Sequence, residues 1–411
     1  MSLFRRPLPA ALLLGLAAQL LFSWRLTTPH KLVFDEIHYV PAARILWGLE
    51  RPWNTEHPLL GKALIGLGMR MFGDDALGWR ALSTLAGTAT VLALFACAWL
   101  LFGRLRTAVL TALFAIFNIT LFVQARIAML DGFLAAFVVA ALATMLWAMR
   151  GRGGVVRRRW LAGSVLLGLA AGVKWLAVPY IALAAAGFVL AKRRAPWRWP
   201  GLGPVRALLT LGLASAAAYL LTFLPAFFYA EQPLTLATLL PFQLQMLSEQ
   251  RQVLPPHTYQ SSWWSWPLLI RPIWYLYEPA DGAMRGILMI GNPAVMWGGL
   301  LAVAACLWAW RREQSAALGG VAALWLAGWG MWALIPKSLG FYYYYYLPSL
   351  WLPLALAAAF DRYGRGRLRY WDEAAVALTG GLFLYFYPIV SARPLWGPPA
   401  FRHWMWFSTW P

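Results

Sequence analysis

The sequence predicts an all-α integral membrane protein built as a polytopic bundle, and three observations carry that prediction. Hydrophobic residues make up 61% of the 411 and charged residues only 12%, and the apolar residues are gathered into repeated runs near the roughly 20 residues needed to cross a bilayer. The basic residues fall in short clusters between those runs, where Lys and Arg mark cytoplasmic loops. All five histidines and ten of the fifteen acids fall in the alternate connections, so polar chemistry is gathered on the non-cytoplasmic face.

The elements follow in order. Phe4-Arg5-Arg6 and the apolar stretch from Leu8 to Trp24 begin like a signal peptide, but no small-residue cleavage site follows, and the run is read as a retained first helix. Eleven helices are expected, near 8 to 28, 78 to 102, 105 to 123, 127 to 149, 159 to 174, 175 to 191, 205 to 229, 285 to 310, 314 to 335, 341 to 360 and 371 to 390. The division at Val173-Lys174-Trp175 must separate two spans with almost no loop. The clusters at Arg5-Arg6, Arg104 and Arg106, Arg150 to Arg159, Lys192 to Arg198, Arg311-Arg312 and Arg362 to Arg369 place the N-terminus in the cytoplasm and the C-terminus outside. The whole chain, 1–411, is expected to be one transmembrane domain with two long outer segments, 29–77 and 230–284.

Composition also excludes function classes. A net charge of +20 would suit nucleic acid if it formed one basic footprint, and it does not. Cys97 and Cys306 lie inside apolar runs, giving neither a disulfide framework nor zinc spacing. No Walker loop, dinucleotide fingerprint or HExxH is present.

The first outer segment opens with Phe34-Asp35-Glu36-Ile37-His38-Tyr39, close after the first helix. A carboxylate there, beside the membrane surface, can act as a general base for a hydroxyl acceptor, with burial raising its pKa and a nearby cation lowering it. The plainer reading is a helix cap that favours acids at the N-terminal dipole. His57-Pro58-Leu59-Leu60-Gly61-Lys62 reads as a turn, with Lys62 either neutralising a phosphate or snorkelling at the interface. Asp74-Asp75, before Gly78-Trp79-Arg80, invite a metal reading but suit the start of a helix as well.

Arg126 and Asp131 lie at the outer end of the fourth helix, with Asp131 inside the apolar zone. Intramembrane charges face a cavity or a partner. Five residues is a poor spacing for a helical pair, so Asp131 should be partnered from another segment, and Lys174 is one candidate. The alternative is an ion pair that only fixes helix register. The second outer segment carries Ser261-Ser262-Trp263-Trp264-Ser265-Trp266-Pro267, an interfacial belt or a platform for a sugar ring or polyprenyl chain. Gly291-Asn292-Pro293 should interrupt the eighth helix. Lys337 and the run Tyr342 to Tyr346 follow, and five tyrosines on one helix must turn some hydroxyls to protein or water.

Together, Phe34 to His38, His57 to Lys62, Gly78-Trp79-Arg80, Arg126 to Asp131, Trp263 to Leu268, Gly291-Asn292-Pro293 and Phe341 to Pro348 resemble, in matching order, the protein O-mannosyltransferases. The resemblance implies a GT-C-type transmembrane bundle and transfer of a sugar, mannose in that family, from a polyprenyl-phosphate donor, with inversion, to a Ser or Thr hydroxyl of an extracytoplasmic protein. It implies Asp35 as the base and Glu36 as shaping the acceptor site. Arg126, Asp131 and Lys337 would line the donor site, joined by Lys62 and Lys174 as further cations for the phosphate. His38, His57, Trp263, Trp266, Asn292, Tyr344 and Tyr345 are the candidates for touching acceptor or sugar. The segment 230–284 is too short for the β-trefoil domain of eukaryotic members, and tyrosines stand where those members tend to carry histidines. Both departures fit a compact bacterial relative in the inner membrane. A lipid or glycan acceptor, such as lipid A, is the rival within the fold, and a secondary transporter is the rival outside it. No obligatory metal is expected, although the outer acids leave room for a divalent ion. The partners expected are the lipid-linked donor, the acceptor and the bilayer, without nucleic acid.

Overall fold

The structure is a computed structural model and describes residues 7–253, 255–335, 337–364 and 366–411. Its helices, in chain order, are α1 (Pro7–Ser23), α2 (Glu36–Trp47), α3 (Leu60–Phe72), α4 (Ala76–Phe102), α5 (Leu105–Ile116), α6 (Ile119–Gln124), α7 (Leu130–Met149), α8 (Gly154–Val173), α9 (Val178–Arg194) and α10 (Pro204–Leu221). They continue with α11 (Leu236–Gln250), α12 (Pro293–Glu313), α13 (Ala316–Gly330), α14 (Tyr346–Ser349), α15 (Trp351–Tyr363) and α16 (Trp371–Val390), with strands β1 (Ile273–Ala280) and β2 (Ala283–Met289) between α11 and α12. Among the described residues seven helical segments are long and apolar enough to span a membrane: α4, α7, Trp175–Arg194, Pro204–Phe228, α12, Ala316–Ala333 and α16. Pro7–Ser23 and Leu105–Ile116 are shorter apolar helices. Arg5 and Arg6, read from sequence as a topology signal, lie outside the described residues.

Five sequence expectations need correction. The helix expected from 285 begins only at Pro293, because residues 283–289 are a strand. Asp281 and Gly282, at φ 46° and 73°, form the left-handed two-residue turn that suits a β-hairpin, and β1 pairs antiparallel with β2 across it. Asn292 then caps α12, its side-chain oxygen accepting from the Ala294 N–H at 3.1 Å, and Pro293 occupies the first turn, where its missing N–H costs nothing. Gly291-Asn292-Pro293 therefore starts this helix instead of interrupting it. The expected span 105 to 123 is divided between α5 and α6 by Asn118 in extended conformation. The tyrosine run is a 3-10 turn over Tyr342–Tyr345 that passes into α14. His57 to Lys62, expected to be a turn throughout, enters α3 at Leu60.

The chain forms two compact units. The first comprises Met1–Phe34, Leu94–Ile127 and Val253–Pro411. Its centre is α15, whose residues Trp351 to Ala358 are all buried and which packs against α12, α13 and α5. At one end three of its cations are neutralised internally: Arg104 meets Asp361 at 2.9 Å, Arg106 meets Asp372 and Glu373 at 2.7 Å each, and Arg362 meets Glu313. The hairpin is fastened by buried Arg285, which donates to the carbonyls of Ala280 and Ala392 at 2.9 and 2.8 Å.

The second unit comprises Asp35–Ala93 and Ala128–Gln252. Here α8 lies against α7 and α10. Gly168 allows that approach, since a Cβ in its place would stand 2.3 Å from the Ser215 carbonyl oxygen. In the outer segment α2 packs on α3, with the Trp47 indole over Gly66 and its N–H donating to the Ala63 carbonyl at 2.9 Å. An apolar cluster of Leu46, Leu59, Phe223, Ala226, Tyr229, Leu234 and Met246 joins α2 to the end of α10 and to α11. Burying side chains of this size stabilises by about 1.5–3 kcal/mol each, which gives the outer segment a core of its own.

Candidate active site

Asp35 stands at the N-cap position of α2. Its backbone carbonyl accepts from the amides of His38 and Tyr39 at 2.9 and 3.0 Å, but its side chain makes no capping bond. The plainer reading, a carboxylate consumed by the helix end, therefore does not describe this residue. The carboxylate instead meets the Tyr39 hydroxyl, which donates at 3.4 Å. Phe34, the preceding residue, holds φ at 51°, a conformation that costs a bulky side chain on the order of 1–3 kcal/mol. Its ring is stacked on Tyr275 at 4.1 Å and meets the edge of Tyr343 at 5.7 Å.

Glu36 has another setting. It is fully buried, and both of its oxygens receive the Arg80 guanidinium at 2.8 Å. The Ala128 amide also donates to it at 2.8 Å. One side chain thus ties α2, α4 and the segment leading into α7. Arg80 is 1% exposed, so this is a bidentate, charge-assisted pair without solvent.

Asp131, in the first turn of α7, and Lys174, where α8 ends, form a second buried pair, the ammonium lying 3.0 and 3.1 Å from the two carboxylate oxygens. The partner expected for Asp131 is thereby identified. Lys174 is extended, at φ −158° and ψ 136°, and that break ends α8 before the short 3-10 turn Trp175–Ala177 leads into α9.

Asp35 is placed among these charges. Burial is the largest influence on its carboxyl and pushes the pKa up to about 6; Lys174 opposes the rise, Asp131 adds to it, and His38 and the Tyr39 hydroxyl pull it down. Asp35 as a residue nevertheless keeps some exposure, while its carboxylate is poorly solvated. This combination suits a group that must hold and release a proton near neutral pH.

The other candidates in this unit have different surroundings. Lys62 is 1% exposed and donates to the carbonyls of Asn54 and His57 at 2.6 and 2.8 Å; burial brings its pKa down to about 7 against the pull of Glu56 and Glu249. It fastens the loop before α3, which α11 holds from its other side through Thr55 to Glu249 and Gln250 to the Glu56 carbonyl, both 2.7 Å. His57 lies partly buried with its ring 6.2 Å from Tyr39, and His38 is exposed. Asp75 caps α4 through the amides of Leu77 and Gly78 at 2.8 and 3.2 Å, while Asp74 binds Arg44 and the Trp79 indole.

In the first unit, Arg126 donates to the carbonyls of Phe22 and Trp24 at 2.8 and 2.6 Å and of Arg25 at 3.2 Å. It clamps the end of α1, where unsatisfied carbonyls favour a cation. Asn292 is buried and donates to the carbonyls of Phe117 and Thr379 at 3.0 and 2.9 Å. Trp266 is buried, donates to the Ser261 hydroxyl at 2.9 Å, and lies 5.3 Å from Trp332 and 6.1 Å from Tyr344. Tyr344 stacks on Trp332 at 4.8 Å. Tyr345 is buried, its hydroxyl accepting from the Trp325 indole at 2.8 Å. Trp263 is partly buried beside Trp329, and Lys337 is exposed. Among the described residues no three His, Cys, Asp or Glu side chains gather as a metal site.

Sequence reasoning did not assign Arg80 or Tyr39 to the site. Arg80 belonged to a noted motif, but nothing in a 44-residue separation named Glu36 as its partner. Tyr39 carried the signal of lying four residues after Asp35, one helical turn away.

Residues 56–221 match the family model described as dolichyl-phosphate-mannose-protein mannosyltransferase, and residues 235–410 match the C-terminal four-span region of protein O-mannosyltransferase. The polyprenol-phosphate-mannose-protein mannosyltransferase of Mycobacterium tuberculosis is 27% identical over 440 residues, covering 88% of this chain and 84% of that one. The corresponding protein of Corynebacterium glutamicum is 27% identical over 474 residues, covering 92% and 88%. In fold, the chain is similar to the Saccharomyces cerevisiae protein O-mannosyltransferase Pmt1-Pmt2 complex bound to the sugar donor, with a TM-score of 0.85 at 13% identity over 98% of this chain and 92% of that one. ArnT of Cupriavidus metallidurans bound to undecaprenyl phosphate follows, with a TM-score of 0.60 at 19% identity over 92% and 65%.

Proposed function

The chain belongs to the protein O-mannosyltransferase family, and on that premise we propose that it transfers mannose from a polyprenyl-phosphate donor to a Ser or Thr hydroxyl of an extracytoplasmic protein. The observation that carries the mechanism is Asp35, a partly exposed residue whose carboxylate does not cap its helix and whose pKa is pushed up to about 6. The acceptor oxygen attacks the anomeric carbon of mannose while the bond from that carbon to the phosphate oxygen breaks. The hydroxyl proton passes to Asp35, the electron pair of the broken bond leaves on the phosphate, and the anomeric centre inverts. Lys174, held by Asp131, supplies positive charge for the departing phosphate. Glu36 acts through Arg80 and the Ala128 amide to hold Asp35 in place and is a positioning residue. His38 and His57 remain the acceptor-side candidates on the outer segment.

The same reading assigns the protein to a bacterial inner membrane, with eleven spans, a cytoplasmic N-terminus and Asp35 on the outer face. It requires no metal, because cationic side chains are supplied by the chain itself.

The test is incubation of the purified protein with radiolabelled polyprenyl-phosphate-mannose and a Ser/Thr-rich peptide, with peptide and lipid products separated. Label in the peptide that alkali releases by β-elimination supports the proposal. Label confined to lipid or glycan overturns the acceptor assignment. Activity should survive a chelator; loss restored by Mg2+ or Mn2+ would overturn the metal-free reading.

A further inference from the structure

Between Asp131 and Glu231 the chain contains no acid, yet besides Lys174, which pairs with Asp131, it carries ten Lys or Arg residues from Arg150 to Arg206. The structure gathers these cations at one end of the second unit. The Trp199 indole, in the connection after α9, donates to the Met145 carbonyl of α7 at 3.0 Å, and the Trp160 indole of α8 donates to the Ala207 carbonyl of α10 at 3.0 Å. Phe188 of α9 packs against both rings at 4.7 and 4.8 Å. Four helix ends thus share an aromatic floor, and Arg152, Arg157, Arg158, Arg193 and Arg206 stand exposed around it.

The positive-inside rule accounts for cations at this end of a membrane protein, but not for the contrast between the units. In the first unit Arg104, Arg106 and Arg362 are matched with acids of the same unit. In the second, no acid exists in the sequence from 132 to 230 to do the same. Beside Arg206 an open groove of about 540 Å³ runs along α10, lined by Pro204, Val205, Leu209 and Leu213. These are not core residues: Val205, Leu209 and Leu213 are 73%, 57% and 70% exposed. A basic rim above an outward apolar groove is complementary to one kind of molecule, with an anionic head and a hydrocarbon tail.

We propose that this end of the second unit is a binding site for an anionic glycerophospholipid, its phosphate among the exposed arginines and one acyl chain along the α10 groove. The donor chemistry at Asp35 is not involved, and the proposal stands or falls apart from the proposed activity.

The test uses the full chain reconstituted in phosphatidylcholine bilayers containing spin-labelled phosphatidylglycerol or spin-labelled phosphatidylcholine, with the motionally restricted fraction read by electron paramagnetic resonance. Wild type should favour phosphatidylglycerol by about fivefold. The variant R157Q/R158Q/R206Q should fall to near equality, while R104Q, which alters an internally paired arginine of the first unit, should keep the preference. Raising salt from about 0.05 to 0.5 M should weaken the wild-type preference, and this measurement decides the matter if the triple variant does not fold. Equal association of the two lipids with wild type, a preference the triple variant retains, or one that salt leaves untouched would overturn the proposal.

Discussion

Replacing Arg80 by Met tests how the candidate base is held. Glu36 and Arg80 are 0% and 1% exposed, and two hydrogen bonds of 2.8 Å join them. Removing one member of such a pair leaves a charge in a site that water does not reach, a cost of about 3–5 kcal/mol. Glu36→Leu should cost a similar amount, with Ala128 also losing its acceptor. The double variant Glu36→Leu/Arg80→Met should be far less damaged than the sum, because no buried charge remains. Its residual cost is the unsatisfied Ala128 amide, about 1–3 kcal/mol. Reversible unfolding in mixed micelles, run as a double-mutant cycle, should therefore return a coupling of at least about 3 kcal/mol. A single-variant cost under about 1 kcal/mol, or additivity within about 0.5 kcal/mol, would refute the reasoning.

The remaining predictions concern the charges around Asp35. With its carboxyl pushed up to about 6 and the deprotonated form acting as base, log kcat/KM should fall with unit slope below about pH 6 and level off above it. Lys174→Gln removes the cation that opposes the rise and should move this limb to higher pH; Asp131→Asn removes an anion that adds to it and should move the limb lower. A common direction for both shifts would contradict the assigned electrostatics. Because the folded pKa of Asp35 is raised, its contribution to stability is complete below about pH 4 and is lost as pH rises through about 6. The ionised group then costs on the order of 2 kcal/mol after allowance for its partial exposure. Asp35→Asn should accordingly be more stable than wild type at pH 7.5 and equal to it near pH 4, measured by unfolding at both values.

Much of the bundle was legible because spanning a bilayer imposes long apolar runs, and each of the eleven expected spans contains helix in the structure. The hairpin was not, because Ile287 to Ile290 continue the apolar run that leads into α12 and hide the turn at Asp281-Gly282. The Asp131–Lys174 pair was legible for a physical reason: a charge in an apolar zone needs a partner, and few were available. The uses of Arg126 and Lys62 were not, since a sequence shows a cation's charge but not the backbone carbonyls that the fold turns toward it. Likewise, aromatic residues at Trp266 and Tyr345 suit a sugar platform and a packed core equally well, and here both are buried.

The most direct test of the central claim is single-turnover transfer from polyprenyl-phosphate-mannose by wild type and Asp35→Asn, with donor binding measured on both. The account predicts that donor binding is kept while the transfer rate falls by at least about a hundredfold. Equal rates in the two proteins would contradict it and remove Asp35 from the chemistry.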